Sequence, residues 1–309
     1  MSSATGEQYV LTHSSRAGEF SATITQLGAA LRLFSVDGID LVEPYSADAL
    51  PPLCAGQVMA PWVNRLDRGQ WTYRGDVLQN PINIPEQDNA NHGLLLDHFY
   101  ELVSQSASAV TLSGLIEPSA GYPFEVLTTV SYELTDDGLV VTHRAVNQSA
   151  EAAPFATGAH PYFKFSAANS ADLILTSDAA TLTVVNHRQI PVAESATVGS
   201  EFDLRSGVRI GDRQIDEDFT NLPRDEKGNA HTYLRAPDGR GLDIWQDETF
   251  RHVVIFTPNF FPTIGGGETS VAAIEPSTAA PNAFNSGRDL LWLEPGAEFV
   301  GRWGVKVTS

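Results

Sequence analysis

Apolar and polar residues alternate with a period of two along most of this chain, in short runs cut by turn residues. "ALRLFSVDGIDLVEPY" reads as strand, Asp-Gly turn and strand, and "QWTYRGDVLQNP" repeats the pattern around Gly75. "VLTTVSYELTDDGLVVTHRAVN" predicts the clearest hairpin, turning at Asp136-Asp137-Gly138, because Asp-Gly between alternating segments suits the twist of paired strands. "DLILTS", "TLTVV", "GLDIWQD" and "RHVVIFTP" continue the series, and "LLWLEPGAEFVGRWGVKV" closes it with a turn at Pro295-Gly296. Helical periodicity is nearly absent. The pattern predicts an all-β protein, a large antiparallel β-sandwich or barrel. Prolines and glycines are spread through the chain rather than gathered in a linker, and no repeat of 20 to 50 residues is visible, so residues 1–309 are expected to form a single domain. "MAPWVNRLDRG" and "PINIPEQDNANHG" read as long polar loops, the places where sandwiches carry function.

Charge narrows the partners. Acidic residues outnumber basic ones 38 to 19, a formal net charge of −19, which repels nucleic-acid backbones and anionic membranes. No apolar run approaches the ~18 residues of a membrane span. Cys54 is the only cysteine, so no internal disulfide is possible, and the opening "MSSATGEQYV" lacks the basic and apolar regions of a secretory leader. A cytoplasmic location is expected; the oligomeric state is left open.

The motif search first excludes. There is no Cys/His zinc spacing, no His-Glu-x-x-His and no nucleophile elbow, so no metal site and no serine triad are expected. "TIGGGETS" has neither P-loop nor dinucleotide context and reads as a flexible loop. "RGDV" at 74–77 reads as an ordinary hairpin turn.

What remains is a set of polar residues in order. Asn64 and Arg65 follow Pro61-Trp62; His92 precedes a glycine in "NANHGLL"; His160 precedes Pro161 in "GAHPYFKF"; "IDEDF" offers Asp216 and Asp218; Glu275 ends the apolar run of "VAAIEPST". Each alone is ordinary: a surface ion pair, a turn histidine, a hydrogen-bonded strand end, a solvated acidic face. Proline does confine His160 to extended backbone. A carboxylate at a buried strand end is usually paired or functional, with its pKa open to a shift in either direction. Together these side chains donate to and accept from hydroxyls, as a neutral sugar requires, and a His and a Glu provide an acid and a base.

The order Asn-Arg, Asn-His-Gly, His-x-Tyr-Phe, Asp-x-x-Phe and a late strand-borne Glu resembles the aldose 1-epimerase (galactose mutarotase) family, from about residue 20 to the C-terminus. "NRLDRGQWTYRGD" with "NANHGL" carries most of the resemblance, and "HPYF" the rest. The resemblance implies a large β-supersandwich, no cofactor and a small-molecule sugar substrate. It implies that His160 protonates the sugar ring oxygen and that Glu275 takes the anomeric proton. Arg65, His92 and Asp216 would hold hydroxyls, with Asn64 supporting Arg65; Asp216 is preferred to Asp218 for its distance from Phe219. Ala159 and Pro161 depart from the Asn and Ser that many members carry there, which leaves the preferred sugar open. A hexose-6-phosphate epimerase would need a clamp such as Arg68 or Arg74. A non-catalytic sugar-binding module would tend to lose His160 or Glu275. A glycoside hydrolase would need two carboxylates across the bond.

Overall fold

The computed structural model describes residues 3–308. Regular structure in them is almost entirely strand; the exceptions are one four-residue helix, Ala283–Ser286, and four three-residue 3-10 turns. Two large sheets dominate. The nine-stranded sheet is built on strands Val126–Thr135 and Gly138–Asn147, the hairpin expected at Asp136-Asp137-Gly138, followed by Glu298–Thr308 and Gly241–Gln246. The eight-stranded sheet runs Pro191–Ala196, Thr181–Val185, Asp216–Thr220, His252–Phe256, Ala272–Ser277, Gly158–Ala159 and Val58–Met59, with Tyr162–Phe163 also paired to Ala272–Ser277. These ladders are antiparallel, and the arrangement is the large antiparallel sandwich that the alternation predicts. No helix among the described residues is long and apolar enough to cross a membrane.

Alternation sorts the faces of the eight-stranded sheet. Cross-strand partners share a face, so Phe219, Val253 and Pro276 form one row, and Ile255 and Ile274 lie in another on the same side. That side joins Val130, Val141, Trp303 and Val305 of the nine-stranded sheet in one hydrophobic core. Burial of each such side chain is worth ~1.5–3 kcal/mol. The opposite face carries Asp216, Phe256 and Ala273 in one row, Asp218, Val254 and Glu275 in the next, and Thr220, His252 and Ser277 in a third. Apart from half-buried Glu217, which heads the Ile255 row, the polar side chains of these three strands therefore collect on the face turned from the core.

Three local expectations change. Pro295-Gly296 does make a turn, but the strands beside it part: Leu291–Leu293 pairs with Ala153–Phe155, while Glu298–Thr308 enters the nine-stranded sheet. Period two predicts strands, and it is silent on which strand each will pair with. The two long polar segments are more ordered than loops, because Arg65–Asp67 and Asn89–Asn91 pair with each other, Arg65 opposite Asn91. "TIGGGETS" lies in a small hairpin between Phe261–Pro262 and Glu268–Thr269. The "RGDV" turn joins Gln70–Tyr73 to Asp76–Gln79, as expected.

Candidate active site

Asn64 begins the site. Its backbone is left-handed, φ +51°, a conformation asparagine tolerates better than most residues. The side chain folds back, and its Oδ1 accepts from the Arg65 N–H at 2.9 Å and from Arg65 Nη1 at 3.0 Å. Arg65 Nε donates to Gln87 Oε1 at 2.8 Å and Nη2 to Asp216 Oδ2 at 3.3 Å. The planar fork is thus held on three sides, as a bidentate ligand for hydroxyls requires.

Gly93 explains the His-Gly step. Its φ is +84°, and a Cβ there would lie 1.9 Å from the carbonyl oxygen of Ala60. Only glycine lets the chain close on Ala60, and His92 then drops beside His160 with ring centroids 5.1 Å apart. His92 Nδ1 accepts from the Asn64 N–H at 3.2 Å, so in the neutral ring the proton sits on Nε2. Burial first, then His160 and Arg65, hold the His92 pKa well below its ordinary value. His92 is a neutral donor.

His160 Nε2 lies 3.4 Å from Glu275 Oε1, with both residues almost fully buried. The Gln57 carbonyl accepts from the His160 N–H at 3.0 Å, and the His160 carbonyl accepts from the Gly56 N–H at 2.8 Å, so the backbone before Pro161 is fixed on both sides. Tyr162 stacks on the imidazole at 5.0 Å. Burial lowers the His160 pKa to about 3, and Arg65 adds to this. Burial, then the Asp216 charge, raises the Glu275 pKa well above the carboxylate range, against the pull of Arg65. His160 Nδ1 and Glu275 Oε2 are buried without a protein partner. Buried polar atoms are rarely left so.

A cavity of about 270 Å³ opens over this pair, and Asn64, Arg65, His92, His160, Asp216 and Glu275 all line it. The structure thus brings these six residues together, from segments up to 211 positions apart. It also separates the two aspartates. Asp216 faces the cavity beside Arg65, whereas Asp218 is buried and accepts from Thr183 Oγ1 at 2.6 Å while holding His252 Nδ1 at 3.0 Å. Arg68 pairs with Asp67 and Asp88, Arg74 pairs with Glu151, and neither lines the cavity.

Sequence reasoning missed Gln87, Asn91, Cys54 and Phe256. Gln87 and Asn91 lie in the quoted polar segment, but only the 3-10 turn Pro85–Gln87 and the pairing of Arg65–Asp67 with Asn89–Asn91 place them. Phe256 stands opposite Asp216 across a ladder that no spacing announces. Burial, then Glu275, pushes the Cys54 thiol up to about 12, so it is no thiolate nucleophile at neutral pH. Among the described residues no group of three or more His, Cys, Asp or Glu has the geometry to hold a metal ion.

The site is thus a cavity on the outer face of the eight-stranded sheet, lined by side chains that both donate and accept hydrogen bonds. The family model for aldose 1-epimerase matches residues 8–305, and the chain belongs to that family. It is 30% identical over 289 residues to the uncharacterized protein YihR of Escherichia coli K12, covering 92% of this chain and 89% of that one. It is 27% identical over 267 residues to human galactose mutarotase, covering 79% and 76%. Among solved structures, the galactose mutarotase/aldose epimerase homologue of Caenorhabditis elegans superposes with TM-score 0.83 at 19% identity, covering 98% of this chain and 99% of that one. The galactose 1-epimerase of Lactobacillus acidophilus superposes with TM-score 0.78 at 20% identity, covering 96% and 93%.

Proposed function

We propose that this protein interconverts the α and β anomers of a free aldose of the glucose or galactose type, the whole chain acting as one catalytic domain. The observation that carries the reading is the buried His160–Glu275 contact of 3.4 Å, open to a cavity lined by hydroxyl-binding groups. Glu275 takes the proton of the anomeric hydroxyl as the C1 carbonyl forms. The C1–O5 bond breaks, and O5 takes a proton from His160. The C1–C2 bond rotates, O5 attacks the other carbonyl face, and both protons return. Nothing is consumed, and a positioned acid or base is typically worth ~10²–10⁴-fold. Arg65, His92 and Asp216 hold the remaining hydroxyls, with Asn64 and Gln87 holding Arg65.

The pair needs one proton. Burial favours the neutral form of each partner, which puts the resting proton on Glu275. Arg65 and the sugar hydroxyls that donate to Glu275 favour its carboxylate, and the proton then crosses to His160. The resting proton also favours a second reading, with Glu275 as acid toward O5 and His160 as base. A structure with bound sugar separates the two: O1 beside Glu275 supports the first, O5 beside Glu275 the second.

The direct test is polarimetry of fresh α-D-glucose and α-D-galactose, with the blank rate subtracted. Acceleration of either supports the reading; traces that match the blank overturn it. A 6-phosphate substrate is disfavoured because, among the described residues, Arg65 is the one Lys or Arg lining the cavity, and three side chains already engage it.

A further inference from the structure

Asn91 has no assigned role, yet it is held as a ligand is held. It ends strand Asn89–Asn91, directly opposite Arg65 in the ladder, and its side chain lines the cavity. Asn83 clamps its backbone twice: Asn83 Oδ1 accepts from the Asn91 N–H at 2.6 Å, and Asn83 Nδ2 donates to the Asn91 carbonyl at 3.0 Å. The Asn91 amide itself makes no hydrogen bond among the described residues, and its Oδ1 is buried. Turning the amide over merely exchanges which of its ends is stranded. A fixed backbone with an unspent amide facing a sugar-sized cavity is a binding group awaiting its partner.

We infer that Asn91 determines substrate specificity by taking one non-anomeric hydroxyl of the sugar. This rests on the anomer-interconverting reading of the site. Oδ1 is closed to water, so the amide offers the sugar its Nδ2 donor, which a hydroxyl oxygen accepts. The His160–Glu275 pair claims O1 and O5, so the hydroxyls on C2, C3, C4 and C6 remain for Asn91. A sugar lacking the right hydroxyl leaves the amide unpaired in the complex, which is the strong form of discrimination for a polar site.

The experiment measures kcat/KM for the better of D-glucose and D-galactose and for its 2-, 3-, 4- and 6-deoxy analogues. Wild type should lose about tenfold or more on one analogue in which Asn91→Leu loses nothing further. On the parent sugar, Asn91→Leu should fall to the level of that analogue, mostly through KM. An equal loss on all five sugars would mean a structural role and would overturn the inference, as would no loss on any. If Asn91→Leu does not fold, as read by its thermal melt, Asn83→Ala at the exposed rim should loosen the clamp and spare the same analogue. A uniform loss in that variant would also overturn it. If wild type accelerates none of the five sugars, the proposed reaction fails and takes this inference with it.

Discussion

Two buried histidine–carboxylate contacts stand on one face of the eight-stranded sheet, and they do opposite things. His252 is fully buried between Asp218, 3.0 Å from Nδ1, and Asp289, 3.0 Å from Nε2. Burial alone would lower its pKa; the two carboxylates outweigh burial and raise it to about 9. Thr183 completes Asp218, and Arg251 completes Asp289 at 2.8 Å. His160 has a single carboxylate at 3.4 Å, an unpartnered Nδ1, and a pKa of about 3. Both rings are equally dry, so burial cannot be the difference. Partner count is. A second carboxylate and full hydrogen bonding make the His252 region a fixed ion network. One unsaturated contact leaves the His160 region with a single proton to move, and with lone pairs left for a substrate.

The sharpest way to break this comparison is to exchange the losses. Glu275→Gln should cut kcat by ~10²–10⁴-fold, the usual worth of one positioned acid or base. Its melting temperature should hold or rise, because a buried carboxyl with a raised pKa costs stability at neutral pH. Wild-type turnover by folded Glu275→Gln would refute the role of the pair. Asp218→Asn should do the reverse. Removing one partner of a buried ion pair costs ~3–5 kcal/mol, so denaturant midpoints should fall sharply while kcat/KM of the folded fraction stays near wild type. Asp216→Asn should raise KM with little change in the midpoint; a large stability loss there would mean that the two aspartates have been assigned the wrong way round.

Stability against pH sharpens the contrast further. The folded pKa of His252, about 9, lies above its unfolded value of ~6.5. Its contribution is complete below pH ~6.5 and is lost as pH rises toward 9, on the order of 3 kcal/mol. Urea titrations at pH 6.5 and 9.5 should show this loss in wild type and less of it in Asp218→Asn. The smallest expected effect is on the rate profile. The one-proton state of His160–Glu275 persists between the lowered imidazole pKa and the raised carboxyl pKa, so kcat/KM should be flat across weakly acidic pH. It should fall as pH rises through the Glu275 value, because the pair then has no acid. A fall already complete at the ordinary carboxylate value of ~4.3 would show that Glu275 is not desolvated during turnover.

Strands, turns and the inward face of each strand were legible because alternation is a local property of two or three neighbours. His160, Glu275, Asn64, Arg65 and His92 were legible through their order along the chain. Asp216 was preferred to Asp218 only through the resemblance, by its distance from Phe219, since residues two apart share a face and period two treats them alike; the arrival of His252 and Thr183 beside Asp218 separates them physically. Asn91 and Gln87 were hidden for a related reason. Their places follow from a two-stranded ladder and the 3-10 turn before it, in segments that read as loops.

The chain holds eight histidines, and the fold buries several of them. His143 is one, its Nε2 accepting from Trp303 Nε1 at 3.0 Å while Nδ1 lies 3.0 Å from Thr157 Oγ1, and burial lowers its pKa to about 3. His252 is another, and it is charged. His160 is a third, neutral and unsatisfied. Sequence determined only the period of the strands that carry His143 and His252 and the proline that holds His160 extended. Tertiary structure alone decided their chemistry. Protonation depends on how many charges and hydrogen bonds stand within a few ångströms, and those partners come from strands as distant as 160 positions in the case of Trp303 and His143.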